Sequence, residues 1–133
     1  LTFAFNFLAG ALVVLSVPSL IVPFAGVAFG FLRATLWGLL LAPTTPELQL
    51  AMIPHSLVLV LEGQGYILAM LAVWVHGKGF VSPGSVEAGS HLQGWIQGLR
   101  RSLHIYVLVA LVLAIAAIYE AIEVIYIIPR LIS

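Results

Sequence analysis

Arg33, Glu62, Glu120 and Glu123 are ionisable residues set inside apolar runs long enough to cross a bilayer. A charge at that depth is costly, so it faces protein or water and marks a site of ion pairing, proton transfer or ligand binding. The planar fork of an arginine can hold carboxylates bidentately, and Arg33 paired with glutamates would keep helices in register. One arginine cannot neutralise three carboxylates, however. The surplus acid admits a proton or cation path, or a polar groove for a partner helix or a lipid headgroup. Glu120 and Glu123 stand at i and i+3 on one helix face, where they are expected to titrate as a coupled pair.

The elements that must carry these side chains are four apolar segments, spans about 1–17, 22–42, 54–76 and 102–128. Pro18 and Pro23, Pro43 and Pro46, and Pro129 are expected to stop the first, second and fourth, because proline lacks a backbone donor and restricts the residue before it. Pro54 suits the first turn of the third. At ~1.5 Å rise per residue, Arg33 lies about 13 Å inside Ala42, Glu62 about 12 Å inside Pro54 and Glu120 about 13 Å inside Pro129. Glu123 lies about 9 Å inside Pro129. These depths define an intramembrane polar layer, which Asn6 joins if Leu1 is near the surface.

Residues 77–91 read as a polar loop. From His91 to Leu103, Leu92, Trp95, Ile96, Leu99 and Leu103 recur at helical spacing mostly opposite Gln93, Gln97 and Arg101, which predicts an interfacial amphipathic helix over about 91–103, the alternative being an extension of the fourth span into water. Lys78, Arg100 and Arg101 place the segment 77–103 in the cytoplasm, with the Pro18–Pro23 turn on the same side and Arg130 alone opposed. Gly26 and Gly30 form a Gly-x-x-x-Gly pair for helix packing. Ala110, Ala114, Ala117 and Ala121 form a small-residue seam of the same use.

Composition agrees. The chain has 133 residues, 62% of them hydrophobic and 8% charged, against about 45–50% and about 25% in ordinary soluble domains. Its formal net charge is zero, and its scattered basic residues form no phosphate track, so nucleic acid is not an expected partner. Cysteine is absent, which removes disulfides and thiolate chemistry. The sequence opens at Leu1 without a methionine, and further residues are expected upstream. His55 and Glu62 share a helix face, but a zinc site needs more ligands at closer spacing, and no protease constellation is present. His76 and His104 near span ends leave room for an axial ligand to a tetrapyrrole, while His91 reads as a solvated loop residue.

The run Ile53-Pro54-His55-Ser56, with Glu62 and then Tyr66-Ile67-Leu68-Ala69, resembles the stage II sporulation protein M family. Members carry a Pro-His-Gly or Pro-His-Ser signature at the start of a span, with a glutamate soon after. Asn6 with Gly10, and Gly26, Gly30 and Gly38, also resemble family features. Where members often place the acid four residues after the histidine, this chain has Leu59, and the acid is Glu62. The resemblance implies a polytopic bacterial or archaeal membrane protein. Named members act in a membrane complex that remodels the cell wall, with the enzymatic steps done by partners.

The expectation is therefore an all-α polytopic transmembrane helical bundle, one multi-pass cell-membrane domain over 1–133 with four spans and the interfacial helix. It is expected to be non-enzymatic, without metal or cofactor. Its expected role is to dock partner proteins, either other membrane subunits or copies of itself, within the lipid bilayer. A permease with a proton or cation path through Glu62 and Glu120 is the first alternative. An accessory subunit of a pigment or respiratory complex is the second.

Overall fold

The computed structural model describes residues 1–132, and among them every regular element is helical. Four helices follow in order: α1 (Thr2–Ile21), α2 (Ala25–Leu40), α3 (Pro46–Val81) and α4 (His91–Leu131). Three of them, α1, α3 and α4, are long and apolar enough to cross a membrane. The fourth, α2, has 16 residues, or about 24 Å of helix against a hydrocarbon core of ~30 Å.

α2 ends before Pro43 as expected, but Pro18 and Pro129, also predicted to stop helices, lie inside them. α1 runs through Pro18 to Ile21, and the chain turns only at Val22–Phe24. Phe5–Ser16 is wound as a wide π-helix, and Pro18 enters at the first turn of the tighter stretch that follows, where a donor is dispensable. The Ser19 hydroxyl donates to the Leu15 carbonyl at 2.9 Å, occupying an acceptor of that junction. Phe24 takes a left-handed conformation (φ 68), and its ring packs on Trp74 with centroids 4.8 Å apart.

α3 starts at Pro46 rather than Pro54. Thr45 provides the cap, its hydroxyl accepting from the Leu48 amide at 3.3 Å, and Pro46 takes the first helical turn. Pro54 is thus interior. The helix then continues through Gly77 to Val81, so the connecting segment is shorter than the expected loop: a 3-10 turn at Pro83–Val86, then Ser90, which caps α4 by accepting from the Gln93 amide.

The predicted break near residue 103 does not occur. His91–Ile122 is one continuous helix, so 91–103 is the first part of α4 rather than a separate helix. Glycines explain this. A Cβ on Gly79 would stand 2.6 Å from the Gly94 carbonyl oxygen and 3.1 Å from the Gly98 Cα, so the two backbones touch here. Ser102 Oγ donates across to the Ala72 carbonyl at 2.6 Å. Trp95 turns inward, edge-on to His76 at 5.0 Å, and its indole N–H reaches the Leu20 carbonyl at 3.3 Å. Arg100 and Arg101 remain exposed. At the far end α4 widens into a π turn over Glu123–Ile127 and stays helical past Pro129.

α3 and α4 form an antiparallel hairpin whose register runs from Gly79 against Gly94, through Gly65 against Leu113, to His55 against Glu123. α1 lies parallel to α3, with Gly10 beneath Tyr66, and α2 returns antiparallel, with Phe24 by Gly77 and Gly30 on Met70. Gly26 rests on the Leu15 carbonyl, and its amide donates to Ser19 Oγ at 2.6 Å. The core gathers Ala11, Leu15, Ala69, Val73, Val109 and Leu113. The buried stripe of α4 is therefore Ser102, Val109, Leu113, Ala116 and Glu123. The alanine seam is rotated off it: Ala110, Ala114 and Ala117 are half-buried, and Ala121 is exposed. The small residues that admit close packing are instead Gly94 and Gly98 of α4, against the α3 backbone, and Gly65 of α3, which receives Leu113.

Candidate functional site

Three helices are joined by one directed chain of hydrogen bonds. Arg33 on α2 donates through Nη2 to the Tyr66 hydroxyl at 2.7 Å. Tyr66 on α3 donates to Asn6 Oδ1 on α1 at 2.8 Å. The Asn6 amide nitrogen then donates to Glu62 Oε1, one turn before Tyr66 on α3. Every donor points from the guanidinium toward the carboxylate, so each bond polarises the next in the favourable sense. The guanidinium also lies over the Tyr66 ring (4.6 Å) and near the Trp37 ring (5.4 Å), within reach of cation–π attraction.

This arrangement corrects the expected pairing of Arg33 with glutamates. Among the described residues Arg33 forms no ion pair, and its Nε is buried without a hydrogen-bond partner. The reason is geometric: Tyr66 and Asn6 stand between the guanidinium and Glu62. Tyr66 is itself held, since a Cβ on Gly10 would come within 2.6 Å of its hydroxyl oxygen.

Glu120 and Glu123 part company. Glu123 is fully buried and meets His55, whose Nδ1 lies 3.2 Å from Oε1 and 3.4 Å from Oε2. Glu120, half-buried, instead faces a cavity. The π turn that opens at Glu123 accompanies this divergence. Pro54 adjoins the same pair, its carbonyl accepting from the Tyr119 hydroxyl at 3.3 Å.

The cavity has a volume of about 930 Å³ and lies between α1, α2 and α3, with Glu120 contributed by α4. Its polar wall includes Asn6, Arg33, His55, Glu62, Tyr66 and Glu120, and the remainder is dominated by residues such as Phe5, Trp37, Leu59, Ile67 and Met70. Glu62 lies within electrostatic reach of Glu120, Arg33 and His55. The structure thus brings the polar-layer residues to one end of the bundle, with Glu123 behind the wall rather than in it. Tyr66 and Trp37 are the residues that sequence reasoning left out of the site. Each follows a charged residue by four positions, Glu62 and Arg33 respectively, and so shares its helix face.

The remaining histidines lie elsewhere. His76 is buried at the other end, with Nε2 unpartnered. His91 and His104 are exposed, each with Nδ1 at a backbone carbonyl, of Phe80 (2.7 Å) and Arg100 (3.0 Å). No family model, curated protein or solved structure matches the chain.

Proposed function

We propose that this chain is a non-enzymatic integral membrane subunit of four spans that docks a transmembrane helix of a partner protein. The observation that carries this reading is the alanine seam of α4. Small residues at helical spacing serve close helix packing in lipid, yet within this chain the packing face of α4 is a different stripe. Ala110 and Ala114 instead floor an open apolar groove flanked by Phe3, Phe7 and Tyr106. Two rings of that wall are ordered by stacking, Phe3 on Phe7 with centroids 5.6 Å apart. The polar side chains meanwhile turn inward and tie α1, α2 and α3 together, which suits a rigid platform. The Pro54-His55-Ser56 run supports the same reading through its resemblance to stage II sporulation protein M proteins, whose named members work within a membrane complex.

In this reading α2 crosses the bilayer with its flanking turns, the connection 82–90 is cytoplasmic, and the turn at Leu41–Thr45 is external. The test is subunit composition. The complex drawn from native membranes in mild detergent should contain a second membrane protein or a second copy of this chain. Ala114→Phe should release that partner while the variant itself stays monodisperse. A wild-type chain recovered alone, or a partner retained by the filled groove, would overturn the proposal.

A further inference from the structure

We propose that the cavity between α1, α2 and α3 binds a zwitterionic amphiphile, its oxyanion on Arg33 and its ammonium on Glu120. The carrying observation is that opposite charges line one largely apolar cavity without pairing. Arg33 has five N–H donors and uses one on Tyr66; its Nε is buried with no partner. Glu120, half-buried at the cavity wall, has no hydrogen bond or ion pair among the described residues. At low dielectric such charges attract strongly and would close on each other if the scaffold allowed it. Arg33 is instead held on Tyr66, which Asn6 of α1 ties to Glu62, and it forms no ion pair with Glu120. A ligand with both signs of charge can therefore satisfy both walls at once.

The rest of the lining selects the body of the ligand. Leu59, Ile67, Met70 and Trp37 surround the charged groups, so the ligand carries an apolar portion next to its headgroup. About 930 Å³ exceeds what an ammonium and an oxyanion alone require, and lies toward the upper end of the ~300–1,000 Å³ found for small-molecule pockets. The shared chemistry is an amine and a phosphate joined by a short linker, as in an ethanolamine phospholipid or its free headgroup. The site is separate from the alanine groove, so its failure would leave the docking proposal standing, and the reverse holds too.

Native mass spectrometry of the delipidated full chain, with lipids added back singly, tests this. Dioleoylphosphatidylethanolamine should be retained about tenfold more than dioleoylphosphatidylglycerol of the same chain length. Glu120→Gln should remove that preference, and Gly63→Phe should abolish retention by filling the space. Gly63 lines the cavity, and a Cβ there meets nothing within 4 Å, so the new side chain starts in open space; an unchanged unfolding midpoint in detergent shows that the variant is folded. Competition by free phosphoethanolamine would show that the headgroup alone is recognised, and a lack of competition that the intact lipid is needed; both support the site. Equal retention of the two lipids by the native chain, or a preference unchanged in both variants, would overturn it.

Discussion

Among the charged side chains, Glu123 depends most on a single neighbour. It is fully enclosed, and the contact that meets its carboxylate is His55, about one-fifth exposed at 22%. Removing one member of such a pair strands the other, which in buried cases costs about 3–5 kcal/mol, whereas replacing both by apolar groups is often neutral or stabilising. His55→Ala is therefore expected to lower stability by about 3 kcal/mol. Adding Glu123→Leu to it should recover most of the loss. Thermal unfolding in detergent, followed for both singles and the double, checks this. If the double variant is no better than His55→Ala, the histidine is holding something other than this carboxylate. The same logic separates the two acids of α4: Glu120→Gln removes nothing from the fold's own hydrogen bonds, so its effect belongs to ligand retention and not to stability.

At the scale of the helices, the α3–α4 hairpin rests on glycine. A Cβ on Gly98 would stand 2.9 Å from the His76 carbonyl oxygen and 3.1 Å from its Cα, both rigid backbone atoms. Gly98→Ala should accordingly destabilise by about 1–3 kcal/mol as the helices are pushed apart. Gly38 on α2 faces open space, and Gly38→Ala should stabilise by about 0.5–1 kcal/mol through helix propensity. A series of unfolding midpoints in which both substitutions move stability the same way would contradict the packing. The existence of the helices was legible from apolar runs alone, but their limits were not, and proline explains why. In water a proline inside a helix is a costly defect. In lipid, breaking the helix exposes several backbone groups with nothing to bond, which costs more than losing one hydrogen bond. Pro18, Pro54 and Pro129 stay inside helices here, helped by wide π turns and by hydroxyls such as Ser19 and Tyr119 that take up nearby carbonyls. The site was legible to a similar degree. Its charges stood out by depth, whereas the wiring through Tyr66 and Asn6 depends on helix rotation, which spacing does not reveal. The apolar period at 91–103 pointed to the wrong face: Leu92, Ile96 and Leu103 stay exposed while Gly94, Gly98 and Ser102 pack on α3, because paired glycines are silent in a hydrophobic period.

For the molecule as a whole, the open question is whether α2 crosses. At 16 residues it is short, and a chain with three crossings would leave Val22 and Thr44 on one side. The pairing along α3 argues otherwise. α2 begins beside Trp74 and Gly77, passes Met70 and Tyr66, and its following turn reaches the cavity mouth near Met52. It thus lies antiparallel along α3 from Gly77 to Tyr66, as a crossing helix would, with Phe24 and Leu41–Pro43 at its ends. Lys78, Arg100 and Arg101 cluster at the end marked by the 82–90 connection, whereas Arg130 and Glu47 lie at the other; basic residues are retained on the cytoplasmic side. Because the chain contains no cysteine, each introduced thiol is unique. Val22, Thr44 and Ser85 are all exposed and suit the purpose. In intact cells a membrane-impermeant maleimide should label Thr44→Cys, and should reach Val22→Cys and Ser85→Cys only after permeabilisation. Val22→Cys and Thr44→Cys labelling together would mean that α2 turns back within the membrane, and the cavity it walls would then open toward lipid instead of toward the outer face.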